Sequence, residues 1–441
     1  MPDFGEFFAL QLNIFKAIWP FVKLTWWAWL PPLLFYSMWE MWKLYLKQRY
    51  YANLKWTLIE VKIPRDVAKP PQAMEQVFAG IHSAYRSYDF EEKYWQGLRT
   101  DHFSFEMISM GGKLHFFIYT PVAYKNLIES MVYAQYPDSE IKEVADYTLN
   151  MPESVPDAQW NLFGTEYALA KPDPYPIRTY KEFLLENIPL KEEERKVDPL
   201  SAFGEVLAKI KPHEVMGIQI LVRPIGDDWK DEAESLVAKL IGKEMPTKEG
   251  VLSQIFGGLS GVVSEVVTLG ATMPVLPEKP AREEKKTFET RMLHMTPGEK
   301  EVLEAIEKNI TKIAFQTIIR LIYLGRTDEF DMMNIAAMFA AFRQFNTQNL
   351  NSFKNQTKAM TSSPWYNPWK ERMKFKKKKL FYRYFKSRMP FLGTYLLRSK
   401  PFIFNIEELA TIYHYPGGTV GALTTHRIEA KKSEPPRDLP I

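Results

Sequence analysis

HFSFEMISM (102–110), Gly111-Gly112 and KLHFFIYT (113–120) read as two strands of alternating apolar and polar residues closed by a two-residue turn. The glycine pair is a strong hairpin signal, because both turn positions need a positive φ that glycine adopts without strain. Working outward, residues 54–63 (LKWTLIEVKI) form a strand ended by Pro64. Pro70-Pro71 then open a helix whose apolar face is Met74, Val77, Phe78, Ile81 and Tyr85. Beyond the hairpin a helix covers 121–135, Pro137-Asp138 break it, and a last strand lies at 140–147. The order β-α-β-β-α-β predicts a ferredoxin-like (split βαβ) domain over 54–150.

The same order recurs with an interruption. A strand at 160–170 is followed by an acidic loop (191–196), a helix at 199–210 and a strand at 214–222. Later come the strongly apolar strand KIAFQTIIRLIYL (312–324), a helix at 330–345 and a weak strand within 350–360. This is a second ferredoxin-like domain over 157–360 with an insertion at 226–310. Within the insertion, residues 251–273, rich in Gly, Ser and Val, read as an amphipathic helix or as an apolar loop covering part of the domain.

Upstream, residues 24–39 (LTWWAWLPPLLFYSMW) carry no charge, and a helix of that length covers about 24 Å of a hydrocarbon core roughly 30 Å thick. Extended over 17–42, with Lys23 and Glu40 at the interfaces and Trp19, Trp26, Trp27, Trp29, Trp39 and Trp42 as aromatic belts, it predicts a transmembrane anchor kinked or broken at Pro31-Pro32. A buried core helix or an interfacial hairpin fits the same pattern. Lys43, Lys47, Arg49 and Lys55 follow the segment, whereas 1–15 holds Asp3 and Glu6 and no Lys or Arg. The positive-inside rule then predicts a single-pass protein of the inner (cytoplasmic) membrane with the bulk of the chain cytoplasmic. The fold class expected is therefore α+β, an N-terminal transmembrane helix (1–50) followed by two ferredoxin-like domains and a basic segment, C-terminal helix and tail (361–441).

With 441 residues, 46% of them hydrophobic, the chain is long enough for two or three cores, and a net charge of +4 says little. Its zero cysteines exclude disulfides, thiolate catalysis and cysteine-ligated metal sites. No G-x-x-x-x-G-K-[ST] loop, H-E-x-x-H pair or G-x-S-x-G elbow is present. The seven histidines are scattered, with His102 and His115 placed to face each other across the hairpin. No catalytic residue, cofactor or metal site is nominated, and a non-enzymatic role is expected.

Residues 369–388 (WKERMKFKKKKLFYRYFKSR) set ten cations against Glu371: Lys370, Arg372, Lys374, Lys376, Lys377, Lys378, Lys379, Arg383, Lys386 and Arg388. Aromatic residues are interleaved among them. Cations on nucleic-acid phosphates with rings on bases, cations on anionic lipid headgroups, and a solvated face over buried rings all fit. Finally, Asn405 caps a short helix with Glu407 and Glu408 in its first turn.

Residues 131–148 (MVYAQYPDSEIKEVADYT) and 405–418 (NIEELATIYHYPGG) resemble segments of membrane-anchored proteins of candidate-phyla bacteria that serve type IV secretion or conjugative DNA transfer. In longer members such a region precedes a P-loop ATPase domain of the coupling-protein or HerA type. The resemblance implies a non-catalytic scaffold or adaptor of a secretion, conjugative or pilus-like machine, docking a separate motor ATPase. It places that contact near Asn405, Glu407, Glu408, Tyr413 and His414, and it is compatible with a homo-oligomer. A membrane-tethered nucleic-acid-binding protein is the alternative.

Overall fold

The computed structural model describes residues 4–64, 69–183, 198–241, 295–364, 367–389 and 401–416, apart from the side chains of 4–18, Phe21 and Val22. The acidic loop at 191–196, the segment 251–273 and the tail from 417 lie outside them. The chain starts with α1 (Phe4–Asn53) and continues through β1 (Trp56–Lys62), α2 (Gln72–Ile81), β2 (Phe103–Met110), β3 (Lys113–Pro121), α3 (Lys125–Gln135) and β4 (Glu140–Val144). β5 (Trp160–Leu169), α4 (Ser201–Ala208), β6 (Val215–Pro224), α5 (Asp228–Ile241), α6 (Pro297–Ile310), β7 (Ala314–Arg326), α7 (Met332–Arg343) and β8 (Phe353–Asn355) follow. α8 (Lys370–Ser387), β9 (Phe402–Asn405) and α9 (Ile406–Ile412) end the described chain.

The strands form one antiparallel sheet in the order β4-β1-β3-β2-β6-β7-β5-β8, with β9 added to β7. Each half is a split βαβ: fourth, first, third, second on one side and its mirror on the other. The halves join through their second strands, with Phe103 opposite Val222 and Met110 opposite Val215. Gly111 (φ 59°) and Gly112 (φ 82°) close the β2–β3 turn as their sequence demands. The two halves, read separately in the sequence, thus share a sheet and a core.

The strands are apolar on both sides because both faces are covered. On one face, residues of α2, α3, α4, α7 and α9 pack with Phe105, Ile218 and Ile319 into a single cluster that includes Phe78, Phe203 and Phe342. Full burial of each such side chain contributes roughly 1.5–3 kcal/mol. On the opposite face a smaller cluster joins Ile108, Phe117, Leu162 and Ile322 to Phe381, Tyr382 and Phe385 of α8.

α1 clamps onto this body by its C-terminal turns. Leu46 and Tyr51 are buried, Trp42 Nε1 donates to the Tyr94 carbonyl (2.9 Å), and the Tyr50 hydroxyl donates to Asp101 (2.9 Å). The helix runs through Pro20, Pro31 and Pro32 rather than breaking there. The transmembrane expectation needs correction: among the described residues no helix is long and apolar enough to cross a membrane. The uncharged run between Lys23 and Glu40 falls short of the roughly 20 residues a span requires. Trp26, Trp27, Trp29, Pro31, Pro32, Tyr36, Ser37 and Trp39 fill half of it, and amphipathic indole and phenol rings favour interfaces over hydrocarbon. The anchor, the single-pass topology and the inner-membrane placement fall with it.

Candidate nucleic-acid interface

α8 forms where the sequence supplies a run of helix-favouring Lys, Arg, Met and Leu. Its rings Phe381, Tyr382 and Phe385 recur at helical spacing and lie against the sheet. Gly164 on β5 lets the helix approach, since any Cβ there would overlap the Phe381 ring. Tyr382 donates its hydroxyl to the Pro152 carbonyl (2.5 Å).

Beneath the C-terminal end of α8 runs a buried polar row. Glu106, Gln219, Arg320 and Glu166 stand directly opposite one another on β2, β6, β7 and β5. Gln219 donates to Glu106 (2.9 Å), Arg320 Nε donates to Glu166 (2.8 Å), and Arg320 Nη1 donates to Gln219 (3.2 Å). The last carbonyls of α8, orphaned like those of any helix end, accept from this row: Tyr384 from Arg320 (3.2 Å) and Phe385 from Gln219 (3.2 Å). Arg388 then turns back in the left-handed conformation (φ 49°), and its guanidinium enters the row. It donates to Glu106 through Nε (2.8 Å) and to Asp146 through Nη1 (2.6 Å), with Tyr119 at 4.3 Å beneath. Burial alone would lower its pKa, but Glu106, Tyr147 and Asp146 outweigh burial and hold it well above the usual arginine value. The carboxylates are occupied by donors and the row is sealed, so it fixes the helix on the sheet.

The ten predicted cations divide accordingly. Arg372, Lys376, Lys379 and Arg383 are exposed, about one per helical turn, on one side of α8. Lys370, Lys374 and Lys386 are half-buried, with Lys374 paired to Glu371 (3.1 Å) and Lys386 5.4 Å from the Tyr382 ring centre. Lys377 donates to the Met360 and Ser362 carbonyls (both 3.2 Å) and Lys378 to Asn161 (2.6 Å). Burial lowers the pKa of both. Arg388 is fully buried and so is removed from any surface role. Beside the exposed cations, Trp369 is 66% and Phe375 51% exposed.

The expected docking residues are corrected by burial. Asn405, Glu407, Glu408, Tyr413 and His414 are each at most 6% exposed, so no partner reaches them in the folded chain. Asn405 and Glu408 form a reciprocal capping box, and Glu408 also accepts from the Ile177 amide (3.0 Å). Glu407 binds Lys181 (2.6 Å) and Lys312. Tyr413 packs on Phe105, and His414 meets Asp198 (3.0 Å). His102 and His115 do not face each other: His115 binds Glu60 (2.7 Å), and His102 donates to the Arg388 carbonyl (3.0 Å). Among the described residues no group of three or more His, Asp or Glu could hold a metal ion.

Of the anchor residues, Trp19, Trp26, Trp27, Trp29, Pro31 and Pro32 are exposed, while Trp39 stacks on Tyr94 (5.6 Å) and Trp42 meets Trp95 (6.4 Å). The polar row was missed from sequence. Its signal is one charged or amide side chain within each otherwise uncharged strand stretch: Glu106 in FSFEMIS, Gln219 in GIQILV, Arg320 in TIIRLIY.

Residues 46–422 match the family model described as Domain of unknown function (DUF8128), and the chain belongs to that family. No curated protein matches it. Nothing in the family description points to secretion or conjugation.

Proposed function

We infer that this DUF8128 protein is a non-catalytic nucleic-acid-binding protein that uses the outer side of α8. The observation that carries the reading is the stripe Arg372, Lys376, Lys379 and Arg383, exposed on a helix whose other side is fixed to the sheet. Because the helix is fixed to the sheet, its row of cations meets phosphates with no backbone left to order. Trp369 and Phe375, exposed at the same end, give bases rings on which to stack. The adaptor reading loses its proposed contact, because Asn405 to His414 is core.

The test is the salt dependence of binding to a fluorescent DNA oligonucleotide. Four phosphate contacts give a log–log slope of about −2.8 on a single strand or −3.6 on a duplex, a loss of roughly 50- to 150-fold in affinity between 50 and 200 mM salt. Changing the four cations to Gln removes most of that slope. Binding that ignores salt, or that survives the quadruple change, overturns the reading.

A further inference from the structure

α1 carries a run of exposed apolar side chains along the part that stands clear of the sheet. Leu33, Leu34, Phe35 and Tyr36 follow one another at about 100° around the helix, and each is 55–63% exposed. The helix is therefore open and apolar on every side at this point. Trp26, Trp27 and Met41, all exposed, continue the surface in both directions. Where α1 reaches the body, Trp42 meets Trp95, and Phe90 and Trp95 add two more exposed rings.

A helix apolar all round is normally buried, and a large exposed apolar patch marks an interaction surface. Fourteen large apolar side chains from Trp19 to Tyr45, together with Phe90 and Trp95, are 36–73% exposed. At about 150–250 Å² for a whole aromatic side chain, they present roughly 1,600 Å². Covering one side of that surface buries about 800 Å², the share each partner brings to a stable interface. A bilayer suits it poorly. Among the described residues no helix is long and apolar enough to cross one, and a helix lying on a bilayer carries a charged face. Between Trp19 and Trp42 the charges are Lys23 and Glu40 alone.

Those two charges select the occupant. The run between them is uncharged, and Pro31 and Pro32 stand at its midpoint. A two-fold axis between the two prolines sets a second α1 antiparallel, with Lys23 opposite Glu40 at both ends and Trp29 opposite Leu34 inside. A parallel pair would set Lys23 against Lys23 and Glu40 against Glu40. On its own chain the Lys23 ammonium lies 5.6 Å from the Trp19 ring centre. Glu40 accepts from Lys43 (2.6 Å) with its side chain still 47% exposed, so its carboxylate has room for a second donor. The two sheets, each clamped at the buried Leu46, are then about 44 Å apart along the helices.

We propose that α1 docks a second copy of this chain, antiparallel over the uncharged run, about a two-fold axis at Pro31-Pro32. The contact is separate from the α8 stripe and does not depend on it.

Light scattering of the full chain at about 10 μM is expected to give twice 51.6 kDa. Leu34→Glu sets a carboxylate against Trp29 of the second copy and is expected to weaken the pairing tenfold or more. The chain has no cysteine, so introduced ones report the register. Chains with Lys23→Cys, co-expressed with chains carrying Glu40→Cys and treated with a short bismaleimide, are expected to yield a covalent dimer. Lys23→Cys alone yields none, because its two thiols lie about 26 Å apart along the pair. A single-chain mass, a dimer that survives Leu34→Glu, or cross-linking by Lys23→Cys alone overturns the proposal. Flotation with phosphatidylcholine vesicles without the mixed cross-link overturns it in favour of lipid.

Discussion

Arg388 and Glu106, 282 positions apart in the chain, form a two-point ion pair, with Nε 2.8 Å from Oε1 and Nη2 3.3 Å from Oε2. The end of α8 is thereby bound to the strand through which the first half of the sheet meets the second. Both side chains are buried, so the pair matters chiefly through what its rupture leaves behind. Arg388→Met strands Glu106 without its cation and is expected to cost about 3–5 kcal/mol in urea unfolding. Adding Glu106→Gln to that variant is expected to restore part of the loss. Strict additivity of the two changes would show that the pair is not coupled.

The pH dependence of stability has two opposed contributors. His102 donates through Nε2 to the Arg388 carbonyl, and its Nδ1 has no partner, so a second proton would find no acceptor. Burial pushes its pKa down to about 3, against an ordinary 6.5. The unfolded chain therefore takes up the proton first. The stabilisation is complete above pH 6.5 and is lost on acidification at about 1.4 kcal/mol per unit until the pH reaches the folded pKa. Glu408 has the reverse sign, because burial pushes its pKa up to about 8 from 4.5. Its folded carboxyl keeps the proton that the unfolded chain loses, so stability falls as pH rises from 4.5 to 8. Comparing wild type with His102→Gln separates the two. The stability difference between them is expected to shift against wild type by about 2 kcal/mol from pH 6.5 to 4.5. A constant difference would mean that His102 takes up its proton in the fold as readily as in the unfolded chain.

What the sequence disclosed follows periodicity. The hairpin at Gly111-Gly112 and the two βαββαβ orders were legible because turn glycines and alternating strands are local signals. The joining of β2 to β6 was not, since pairing between two strands apolar on both faces leaves no pattern in either. Arg388 and Glu408 show the same limit for sites. A charge in a basic run or in a helix's first turn reads as surface, and only the tertiary partners, Glu106 for one and the Ile177 amide for the other, place it inside. A charged or amide side chain such as Arg320 or Gln219 within an otherwise uncharged strand stretch was the available clue. The aromatic content of α1 was legible as apolar length, yet its indole rings and prolines do not make a span.

Gly164 is a point of close approach between α8 and the sheet. Gly164→Ala forces the buried Phe381 ring to move, and overpacking of this kind costs about 1–3 kcal/mol. The expected outcome is a lower melting temperature, partly restored when Phe381→Leu is added to the Gly164→Ala chain. If Phe381→Leu lowers stability equally in both backgrounds, the two residues do not compete for space.

The cations of α8 allow binding and folding to be separated within one helix. Arg372, Lys376, Lys379 and Arg383 point to solvent, so changing each to Gln is expected to leave the unfolding free energy within about 0.5 kcal/mol of wild type while DNA affinity falls. Lys377 and Lys378 donate to carbonyls and to Asn161, which holds their ammonium groups against the body rather than toward a phosphate on the outer side. Lys378→Met removes one of two donors to the Asn161 side-chain oxygen, which keeps the Leu162 amide (2.9 Å), and is expected to cost about 0.5–1.5 kcal/mol, with the salt slope of DNA binding unchanged. Oligonucleotide titrations over a salt series, run beside urea unfolding of the same variants, read both quantities. A slope that drops in Lys378→Met as much as in Lys379→Gln would mean that the inward side of α8 also meets the phosphates, and that the helix leaves the sheet to bind.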